Sequence, residues 1–435
     1  MPDGGLQLDV TVMGAGLAGM AASIHLAREG FHVICAGPDV RNRQAVGESL
    51  DWSAPDLLHA LGLSMEKLIA DGIATYKRHV TLKLADGFTQ HYVPSEWLGQ
   101  SPFNVELRTL HVDRSLLNEA IYQIALNHDV QFLHERVANI DRDGARVVAV
   151  HMADGTRISS PWFIDASGAG ASLLPKTFNL PFDEYGPHKT AMWSYFTVSD
   201  AIEGTTLYTQ ERKPPYMEWI WEIPIHPDVI SVGYVATGDS VKTMRQQGLS
   251  VEEIFRAQLS RNPRFAALLE SCEPAPPHVT SFRCRVHSKI AGPNWLVMGE
   301  AASMVDPMTS NGVTAALRHA VEGASLIVQS RKLRQIPALK RFLYSVRVAS
   351  LARFFNSGIE KVLYDWPIRN RIGIGNAGDV YTVPAWSMNA IYARLRPRGV
   401  ISTMLFGCAL SFLLAIASIL HVCCRQEDAV FEAQA

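Results

Sequence analysis

The sequence of 435 residues predicts an α/β fold, with a doubly wound dinucleotide-binding domain joined to a second domain built on an antiparallel sheet. Three observations lead to this prediction. A glycine-rich turn lies between a strand candidate and a helix candidate at 8–29. Two later strand candidates, at 162–168 and 294–302, each run into a glycine turn. Two tracts at 73–84 and 219–224 are typical of strands in another sheet. A basic helical region and one C-terminal transmembrane helix are expected to complete the chain.

The glycine-rich turn contains Gly14, Gly16 and Gly19 in a GxGxxG arrangement. A strand, such a turn and a helix, in this order, place the pyrophosphate of a dinucleotide at the N-terminus of the helix. The glycines permit a tight turn and a close approach of backbone to phosphate. The ribose-binding acid expected after the next strand is missing, since 33–38 contains no carboxylate and Asp39 is a doubtful substitute.

The two later glycine turns indicate which dinucleotide is bound. Each of these strands delivers a carboxylate, Asp165 or Glu300, towards a following helix, and this suits a ribityl hydroxyl and the edge of a flavin ring. The three segments together resemble FAD-containing monooxygenases of the para-hydroxybenzoate hydroxylase type, with Glu300 at a position that is usually Asp. The resemblance implies FAD. The residues that it assigns to the cofactor are Gly14, Gly16, Gly19, Glu48, Arg114, Asp165, Gly168, Gly299, Glu300, Asp306, Pro307 and Gly312.

The tract at 219–224 indicates which group of FAD-containing proteins the chain resembles. Alternation puts Trp219, Trp221 and Ile223 on one face of a strand, and the spacing alone favours an ordinary core strand closed by Pro224. The pattern WxWxIP, between the second and third flavin segments, nevertheless resembles the signature of flavin-dependent halogenases. This resemblance implies that Trp219, Trp221 and Pro224 form a barrier between substrate and flavin, so that halide is oxidised in place of the substrate.

A second match to the halogenases lies at 73–84, where Lys77 takes the position of their catalytic lysine. Polar and apolar residues alternate in this tract, with the polar ones at Lys77, His79, Thr81 and Lys83. A sheet with one solvent-exposed (wet) face also explains this pattern. The resemblance implies that the Lys77 amine hydrogen-bonds hypohalous acid or becomes a haloamine, and passes electrophilic halogen to an electron-rich carbon. A compact ammonium whose pKa falls on burial suits this task.

The third match is the loop at 306–312, which resembles the halogenase loop over the flavin ring. The resemblance implies that Ser310, Asn311 and Gly312 bind halide and that Ser310 also contacts the catalytic lysine. Halogenases of free tryptophan carry a glutamate before this serine. Thr309 stands there in this chain, which argues against free tryptophan as substrate. The turn at 47–49 resembles the GES turn of the same family, and an ordinary polar loop explains its sequence equally well. Arg114 takes the position of an arginine that contacts FAD in related flavoproteins.

Composition excludes several other classes of function. With 48% hydrophobic and 19% charged residues, the chain is long enough for two or three domains with a substantial core. A net charge of −2 gives no reason to expect nucleic acid as a partner. The six cysteines include no CxxC pair and the histidines show no paired-ligand spacing, so we expect no metal site.

The C-terminal part has its own pattern. Residues 400–424 carry no formal charge, and about 25 helical residues suffice to cross a hydrocarbon core of roughly 30 Å. A buried core helix is the alternative. Arginines precede this segment at 394, 396 and 398, which predicts that the catalytic part faces the cytoplasm. The segment 331–398 has thirteen Lys and Arg against three acids, and either lies against anionic lipid or forms an ordinary solvated face.

The expected organisation follows from these segments. The predicted function is a membrane-anchored flavin-dependent halogenase that uses FADH2 from a separate reductase, O2 and chloride or bromide. Its expected substrate is aromatic, phenolic or pyrrolic, and carrier-bound or lipophilic. The alternatives are an FAD-dependent hydroxylase of the same fold, a membrane flavin reductase of prenyl lipids and a non-catalytic flavoprotein. The predicted parts are an FAD-binding domain (1–72, 110–185 and 280–330), a substrate domain (73–109 and 186–279), a basic helical region (331–398) and a transmembrane helix (400–424).

Overall fold

The computed structural model describes residues 8–41, 44–83, 89–93, 108–199, 201, 203–210, 216–360, 364, 388, 391–393 and 399–432. The helices among them are α1 (Leu17–Arg28), α2 (Ala54–Leu61), α3 (Met65–Ala70), α4 (Arg114–Leu126), α5 (Leu173–Thr177), α6 (Gly238–Gln246), α7 (Val251–Leu259), α8 (Pro263–Ser271), α9 (Gly312–Ser330), α10 (Ala338–Gly358) and α11 (Val400–Glu432). The strands are β1 (Val10–Met13), β2 (Val33–Ala36), β3 (Ala74–Lys77), β4 (Val80–Lys83), β5 (Thr89–Tyr92), β6 (Thr109–Val112), β7 (Gln131–Leu133), β8 (Val137–Asp143), β9 (Arg146–Met152), β10 (Arg157–Ile158), β11 (Trp162–Asp165), β12 (Phe182–Thr197), β13 (Thr205–Gln210), β14 (Glu218–His226), β15 (Val229–Thr237), β16 (His278–His287), β17 (Trp295–Val297) and β18 (Ser303–Met304).

The first sheet has five parallel strands in the order β17-β11-β1-β2-β7. Strands of such sheets are covered on both faces, so burial does not alternate along them, and all four residues of β1 and of β11 are buried. Parallel pairing also brings the carboxyl ends of β1, β11 and β17 to one edge. The three predicted glycine turns therefore meet there, and the predicted α/β fold is confirmed.

The second sheet has eight strands in the order β18-β16-β12-β15-β14-β13-β4-β5. It was predicted to be antiparallel, but β13 pairs with β4 in parallel, so the sheet is mixed. The two strands are far apart in the chain, and no hairpin turn forces them into antiparallel pairing. Helices α6, α7 and α8 cover one face of this sheet, where Phe255 and Phe265 pack against Ile220 and Tyr234. The opposite face carries tryptophans.

Lys77 does not lie on the sheet that carries these tryptophans, and the prediction that it does is wrong. The chain leaves the strand conformation at 78–79, so β3 ends at Lys77 and pairs with β6 in a separate two-stranded ladder. Lys77 is also buried, with 2% of its surface exposed. A sheet with one wet face, the alternative explanation of the alternating tract, therefore does not hold for this residue.

The C-terminal helices α10 and α11 pack together through Phe354, Phe355, Phe406 and Leu410. The helical part of the predicted basic region is confirmed up to residue 358, and most of that region beyond 360 lies outside the described residues. Among the helices described, none combines the length and the apolarity that crossing a membrane requires. The transmembrane helix predicted at 400–424 is therefore not supported.

Candidate active site

The glycine-rich turn joins β1 to α1 at the edge where the three turns meet. Gly14 has a φ of +110°, and a Cβ there would lie 2.3 Å from the carbonyl oxygen of Ala166. A Cβ on Gly19 would lie 1.9 Å from the carbonyl oxygen of Gly14, so both positions require glycine. Gly16 is different, because a Cβ there would meet no protein atom within 4 Å. Its missing side chain leaves room in front of the helix N-terminus.

A cavity of about 1630 Å³ opens at this helix N-terminus. It follows the glycine turn, the loop at 166–173 and the segment at 44–49, and it reaches Trp219 and Trp221 on the second sheet. Sites for one small molecule usually measure roughly 300–1,000 Å³. The cavity therefore has room for a dinucleotide together with a second molecule.

Arg114 supplies a buried donor at the wall of this cavity. Its Nη1 donates to the carbonyl oxygen of Val46 at 2.6 Å, whereas its buried Nε has no hydrogen-bond partner. A Cβ on Gly47 would approach Nη1 to 2.7 Å, so the turn packs closely on the guanidinium. A buried, unpaired donor on a cavity-lining arginine fits an acceptor-rich ligand such as FAD.

Asp165 lies below the cavity and does not line it. Its Oδ2 accepts hydrogen bonds from the backbone N–H groups of Leu173 and Leu174, both at 2.7 Å, and its Oδ1 accepts from that of Ser167 at 3.1 Å. The carboxylate thus fixes the shape of the loop that carries Gly168, which has a φ of +86° and does line the cavity. Any role of Asp165 in cofactor binding acts through this loop.

The third glycine turn also brings residues to the cavity. Gly299, Glu300, Pro307 and Gly312 all line it. A Cβ on Gly299 would lie 2.9 Å from the Cβ of Ala18, so the absence of a side chain lets this turn pack against α1. Gly312 begins α9, whose 19 residues direct a positive helix end to the cavity.

Asp306, in contrast, is 1% exposed and belongs to a buried charge cluster. Its Oδ2 accepts from Nζ of Lys189 at 2.7 Å and from the hydroxyl of Tyr364 at 3.1 Å. The same ammonium donates to Glu360 at 2.6 Å. Asp306 therefore anchors the loop from below, and its carboxylate does not line the cavity.

The predicted halide residues follow Asp306 in the same loop. Ser310 has a φ of +59°, in the left-handed region, and its Oγ donates to Oγ of Ser49 at 3.1 Å. The side-chain amide of Asn311 donates to Oγ1 of Thr309 at 2.6 Å. The backbone N–H groups at the start of α9 follow directly, which is favourable for an anion. Halide binding by Ser310, Asn311 and Gly312 stays a prediction.

The tryptophan tract forms a wall of the cavity. Trp219, Trp221 and Ile223 share the cavity face of β14 as predicted, and the two indole centroids lie 5.8 Å apart. Trp193 of β12 lies 6.5 Å from Trp221 and extends this indole wall. Gly233 of β15 makes the arrangement possible, since a Cβ there would lie 2.1 Å from the ring of Trp221.

Hydrogen bonds fix the orientation of the indole wall. Nε1 of Trp219 donates to the hydroxyl of Tyr364 at 2.9 Å, and Nε1 of Trp221 donates to Oγ of Ser231 at 3.1 Å. Pro224 was predicted to belong to the barrier, but it does not line the cavity. Its carbonyl oxygen instead accepts from Oγ1 of Thr75 at 2.6 Å and ties β14 to β3.

Lys77 lies behind the segment at 48–51. Its Nζ donates to the carbonyl oxygen of Leu50 at 2.8 Å and lies 5.0 Å from the ring centroid of Trp52. Burial lowers the pKa of Lys77 to about 7, and the carboxylate of Asp51 only partly opposes this shift. The amine is therefore held where its neutral form is accessible near neutral pH.

The segment at 48–51 separates Lys77 from the cavity and touches both. Glu48 and Ser49 line the cavity, whereas Leu50 and Asp51 lie on the Lys77 side. Burial raises the pKa of Glu48 to about 7. The predicted GES turn thus joins the loop at 306–312 to the predicted catalytic lysine through Ser49.

Comparison with known proteins identifies the family. The family model described as tryptophan halogenase matches residues 89–332, which is more than half of the chain. The chain belongs to the tryptophan halogenase family. The resemblance inferred from the WxWxIP tract and the three flavin segments is thereby confirmed, and so is FAD as the cofactor of the family.

Several curated proteins are similar to this family member over most of its length. It is 28% identical to the flavin-dependent halogenase armH1 of Armillaria mellea, and the match covers 74% of this chain and 65% of that protein. It is 26% identical to the tryptophan 2-halogenase of Chondromyces crocatus, over 73% and 60%. It is also 26% identical to the 1H-pyrrole-2-carbonyl-(peptidyl-carrier protein) brominase of Pseudoalteromonas luteoviolacea, over 74% and 77%. The chain thus spans less than two thirds of the first two relatives.

Solved halogenase structures share the fold. The flavin-dependent brominase Bmp2 superimposes with a TM-score of 0.70 at 20% identity, covering 93% of this chain and 98% of Bmp2. Halogenase PltM superimposes with a TM-score of 0.70 at 15% identity, over 99% and 93%. At these identities the likeness concerns the fold alone.

Several residues of this halogenase-family site were not predicted from the sequence. Trp193 and Trp52 are single tryptophans outside any motif, and Lys189 and His111 are isolated polar residues in strands. Only the three-dimensional pairing of distant segments places Trp193 at the cavity and buries Trp52, Lys189 and His111 beside Lys77, Asp306 and Thr205.

Substitution of Gly16 provides a test of the cofactor site. We expect Gly16→Ala to weaken FAD binding about tenfold or more, because a methyl group would occupy the approach to the helix N-terminus. The thermal midpoint of the flavin-free protein should stay unchanged, since a Cβ there meets no protein atom within 4 Å. Flavin fluorescence quenching and calorimetry measure the two effects.

Gly14→Ala is the matched comparison. Its Cβ would lie 2.3 Å from the Ala166 carbonyl oxygen, so this variant should lose both FAD affinity and thermal stability. Unchanged FAD affinity in Gly16→Ala would contradict the placement of the pyrophosphate at α1.

Proposed function

We propose that this protein is a flavin-dependent halogenase that transfers oxidised chloride or bromide to an electron-rich aromatic, phenolic or pyrrolic compound. One observation carries the proposal: a single cavity runs from the glycine-rich turn to the indole wall, and a buried lysine lies directly behind the segment at 48–51. FAD, when bound and reduced, supplies the two-electron reactivity with O2 that oxidises halide. A hydroxylase of the same fold does not require the substrate to be separated from the flavin by an indole wall.

The residues of the chain have distinct tasks in this proposal. The start of α9 and Ser310 hold halide beside the flavin site. The indole wall keeps the substrate away from the flavin, so that hypohalous acid is the species that reaches it. Lys77 then holds the electrophilic halogen, either by hydrogen bonding or as a haloamine, and passes it to the substrate carbon. The amine suits this step because burial lowers its pKa to about 7.

The substrate proposal rests on Thr309 and on the relatives. Thr309 occupies the position of the glutamate found in halogenases of free tryptophan, and its hydroxyl accepts a bond from Asn311. One curated relative acts on a pyrrole attached to a peptidyl-carrier protein, by its name. We therefore favour a carrier-bound or lipophilic substrate. A separate flavin reductase as partner and a membrane location facing the cytoplasm stay predictions from the sequence.

The decisive experiment supplies purified protein with reduced FAD, O2 and bromide, and with a phenol or a monochlorodimedone-type acceptor. Mass spectrometry should find a product with the bromine isotope doublet. Omission of bromide is the control, because a halogenase then forms no such product while it still consumes reduced flavin.

A product that gains one oxygen atom, with or without bromide, would establish the hydroxylase. The indole wall favours the halogenase over this rival, because a hydroxylase needs the substrate to meet the flavin directly and bulky indoles line the cavity into which the glycine-rich turn opens. Reduction of a prenyl lipid without consumption of O2 would establish the flavin reductase, which lacks the WxWxIP pattern. Flavin binding without any turnover would indicate the non-catalytic flavoprotein.

A further inference from the structure

Three hydroxyl groups connect the cavity to a buried histidine. Oγ of Ser310 donates to Oγ of Ser49 at 3.1 Å, and Oγ of Ser49 lies 2.8 Å from Oγ1 of Thr205. Oγ1 of Thr205 lies 2.9 Å from Nε2 of His111. All three distances are hydrogen-bonding distances. Because a hydroxyl both donates and accepts, the chain of bonds is continuous from Ser310 to His111.

The four members come from four separate parts of the fold. Ser310 lies in the loop at 306–312, Ser49 in the segment at 48–51, Thr205 at the start of β13 and His111 in β6. The three hydroxyl residues line the cavity, whereas His111 is fully buried. Local sequence therefore does not produce this alignment, which depends on how β13 of the second sheet, β6 of the two-stranded ladder and the two loops come together.

His111 has one ring nitrogen that packing does not explain. Its Nδ1 is buried and has no hydrogen-bond partner, although buried polar atoms are normally paired. The neutral ring has one donor and one acceptor nitrogen, and Nε2 is the one that meets Thr205. An unpaired buried nitrogen costs stability, so a role beyond packing is expected at this position.

We propose that Ser310, Ser49 and Thr205 form a proton relay, and that His111 is the internal acceptor at its end. The inference rests on the proposed function, in which halogen replaces a ring proton of the substrate. That proton is taken up at Oγ of Ser310, and each hydroxyl hydrogen moves one place along the chain. Nε2 of His111 gains a hydrogen and the ring becomes positive, while the three hydroxyls stay neutral.

The relay returns to its starting state by the reverse movement. If Lys77 carries the halogen as a haloamine, water has already left when the haloamine formed, and the amine nitrogen takes the proton back from Ser310. If Lys77 instead holds hypohalous acid by hydrogen bonding, loss of the halogen to the substrate leaves hydroxide, which takes the proton back from Ser310 as water. In this second case the ring proton and the hydroxide form one water molecule, and in neither case are electrons transferred through the relay.

The charges around His111 suit a transient acceptor. Burial, and then the positive charge of Lys77 and of His79, hold the pKa of His111 well below its ordinary value. The imidazolium therefore gives its proton back readily. Its formation is easiest while Lys77 is neutral, so the proton movement is coupled to the state of the amine.

The carboxyl group of Glu48 is a competing acceptor in the cavity. It lines the cavity, and burial raises its pKa to about 7. Substitutions of Thr205 separate the two acceptors, because they break the relay and leave Glu48 in place.

The test compares Thr205→Val, which removes the hydroxyl at nearly constant shape, with Thr205→Ser, which keeps it. We expect Thr205→Val to lower the halogenation rate about 100-fold and to change its solvent deuterium isotope effect, with FAD affinity unchanged. Thr205→Ser should restore most of the rate. Thr81→Val is the matched control, since Oγ1 of Thr81 bonds Nδ1 of His91 at 2.9 Å outside the relay.

A second readout needs no turnover. In flavin-free protein labelled with ¹⁵N-histidine, the resonance of Nε2 of His111, assigned with His111→Gln, should shift in Thr205→Val and stay in place in Thr205→Ser. If the wild type makes no halogenated product, the proposed function fails, and this resonance alone decides whether the bond to His111 exists. A wild-type rate and isotope effect in Thr205→Val, or an unshifted resonance, would overturn the relay.

Discussion

Lys77→Met is expected to abolish halogenation while FAD binding remains. We expect a loss of product formation of about 10²–10⁴-fold, the range for removal of a proton-transferring or nucleophilic side chain. Lys77 does not line the cavity, and its side chain contacts Leu50 and Trp52 instead of the glycine-rich turn. Bromide-dependent product by mass spectrometry and FAD affinity by fluorescence measure the two properties.

The pH dependence of this amine follows from its burial. Its pKa in the folded protein is lowered to about 7, whereas an unfolded lysine titrates at roughly 10.4. The rate should therefore change near pH 7. A rise above that pH indicates the neutral amine and a haloamine, and a fall indicates the ammonium as hydrogen-bond donor.

The same shift makes a prediction about stability. Between roughly pH 7 and pH 10.4 the unfolded chain binds the proton and the folded chain does not, so this lysine makes stability rise with pH. Below pH 7 the lysine is charged in both states, and the full free-energy cost of burying that charge destabilises the folded protein. Lys77→Met should therefore raise the thermal midpoint more at pH 6 than at pH 10.

Lys83→Met is the matched control for Lys77→Met. Lys83 lies in β4, the next strand along the chain. Its side chain is only partly buried, and its Nζ lies 5.1 Å from the ring centroid of Tyr208. Its removal should leave the halogenation rate within about threefold of the wild-type rate, since substitution of a partly exposed side chain away from the reacting groups has a small effect. Equal activity of Lys77→Met and Lys83→Met would remove Lys77 from the mechanism.

The sequence predicted the parallel sheet better than the second sheet, for a physical reason. In β1, α1 and the intervening turn, the strand, the glycines and the helix are neighbours in the chain, so local pattern specifies the structure. The pairing of β4 with β13 joins segments more than a hundred residues apart. Nothing local to either strand specifies its partner or direction, so the parallel pair was not predicted.

The residues of the site likewise divide into those whose placement local sequence specifies and those whose placement depends on distant neighbours. Trp219 and Trp221 lie on one face because strand alternation requires it, and the prediction for that face is confirmed. Asp165 and Asp306 were predicted from motif position to meet the cofactor, yet their carboxylates fix loops from below. A motif specifies which residue is needed at a turn, but the direction of its side chain depends on neighbours such as Lys189 that no motif contains.

Lys189→Met is the second substitution with a large expected effect, and here the effect is on stability. Lys189 is 1% exposed and its ammonium bonds Asp306 at 2.7 Å and Glu360 at 2.6 Å. Burial disfavours its charge, but the negative charges around it, Asp306 foremost, hold its pKa well above the ordinary value. Removal of this one cation leaves the buried carboxyl group of Asp306 and the partly buried one of Glu360 without their shared counter-charge. We expect a loss of about 3–5 kcal/mol in the free energy of unfolding.

Lys67→Met is the matched control for this substitution. Lys67 also bonds a carboxylate at 2.6 Å, that of Asp71, but its side chain is 59% exposed. An exposed pair of this kind contributes at most about 1 kcal/mol, so equal hydrogen-bond length should give very unequal effects. Denaturant titration of both variants measures the difference.

The charge cluster also connects Lys189 to the indole wall. The loss of stability should therefore be accompanied by a change in the surroundings of Trp219. Tyr364 donates to Asp306 and accepts from Nε1 of Trp219, and its ring centroid lies 4.1 Å from Nζ of Lys189. A Lys189→Met/Asp306→Asn double variant removes one charge of each sign and should recover part of the stability that Lys189→Met loses. If Lys189→Met is no less stable than Lys67→Met, the three charged groups do not interact as the buried geometry requires. The fixed position of Trp219 would then need another cause.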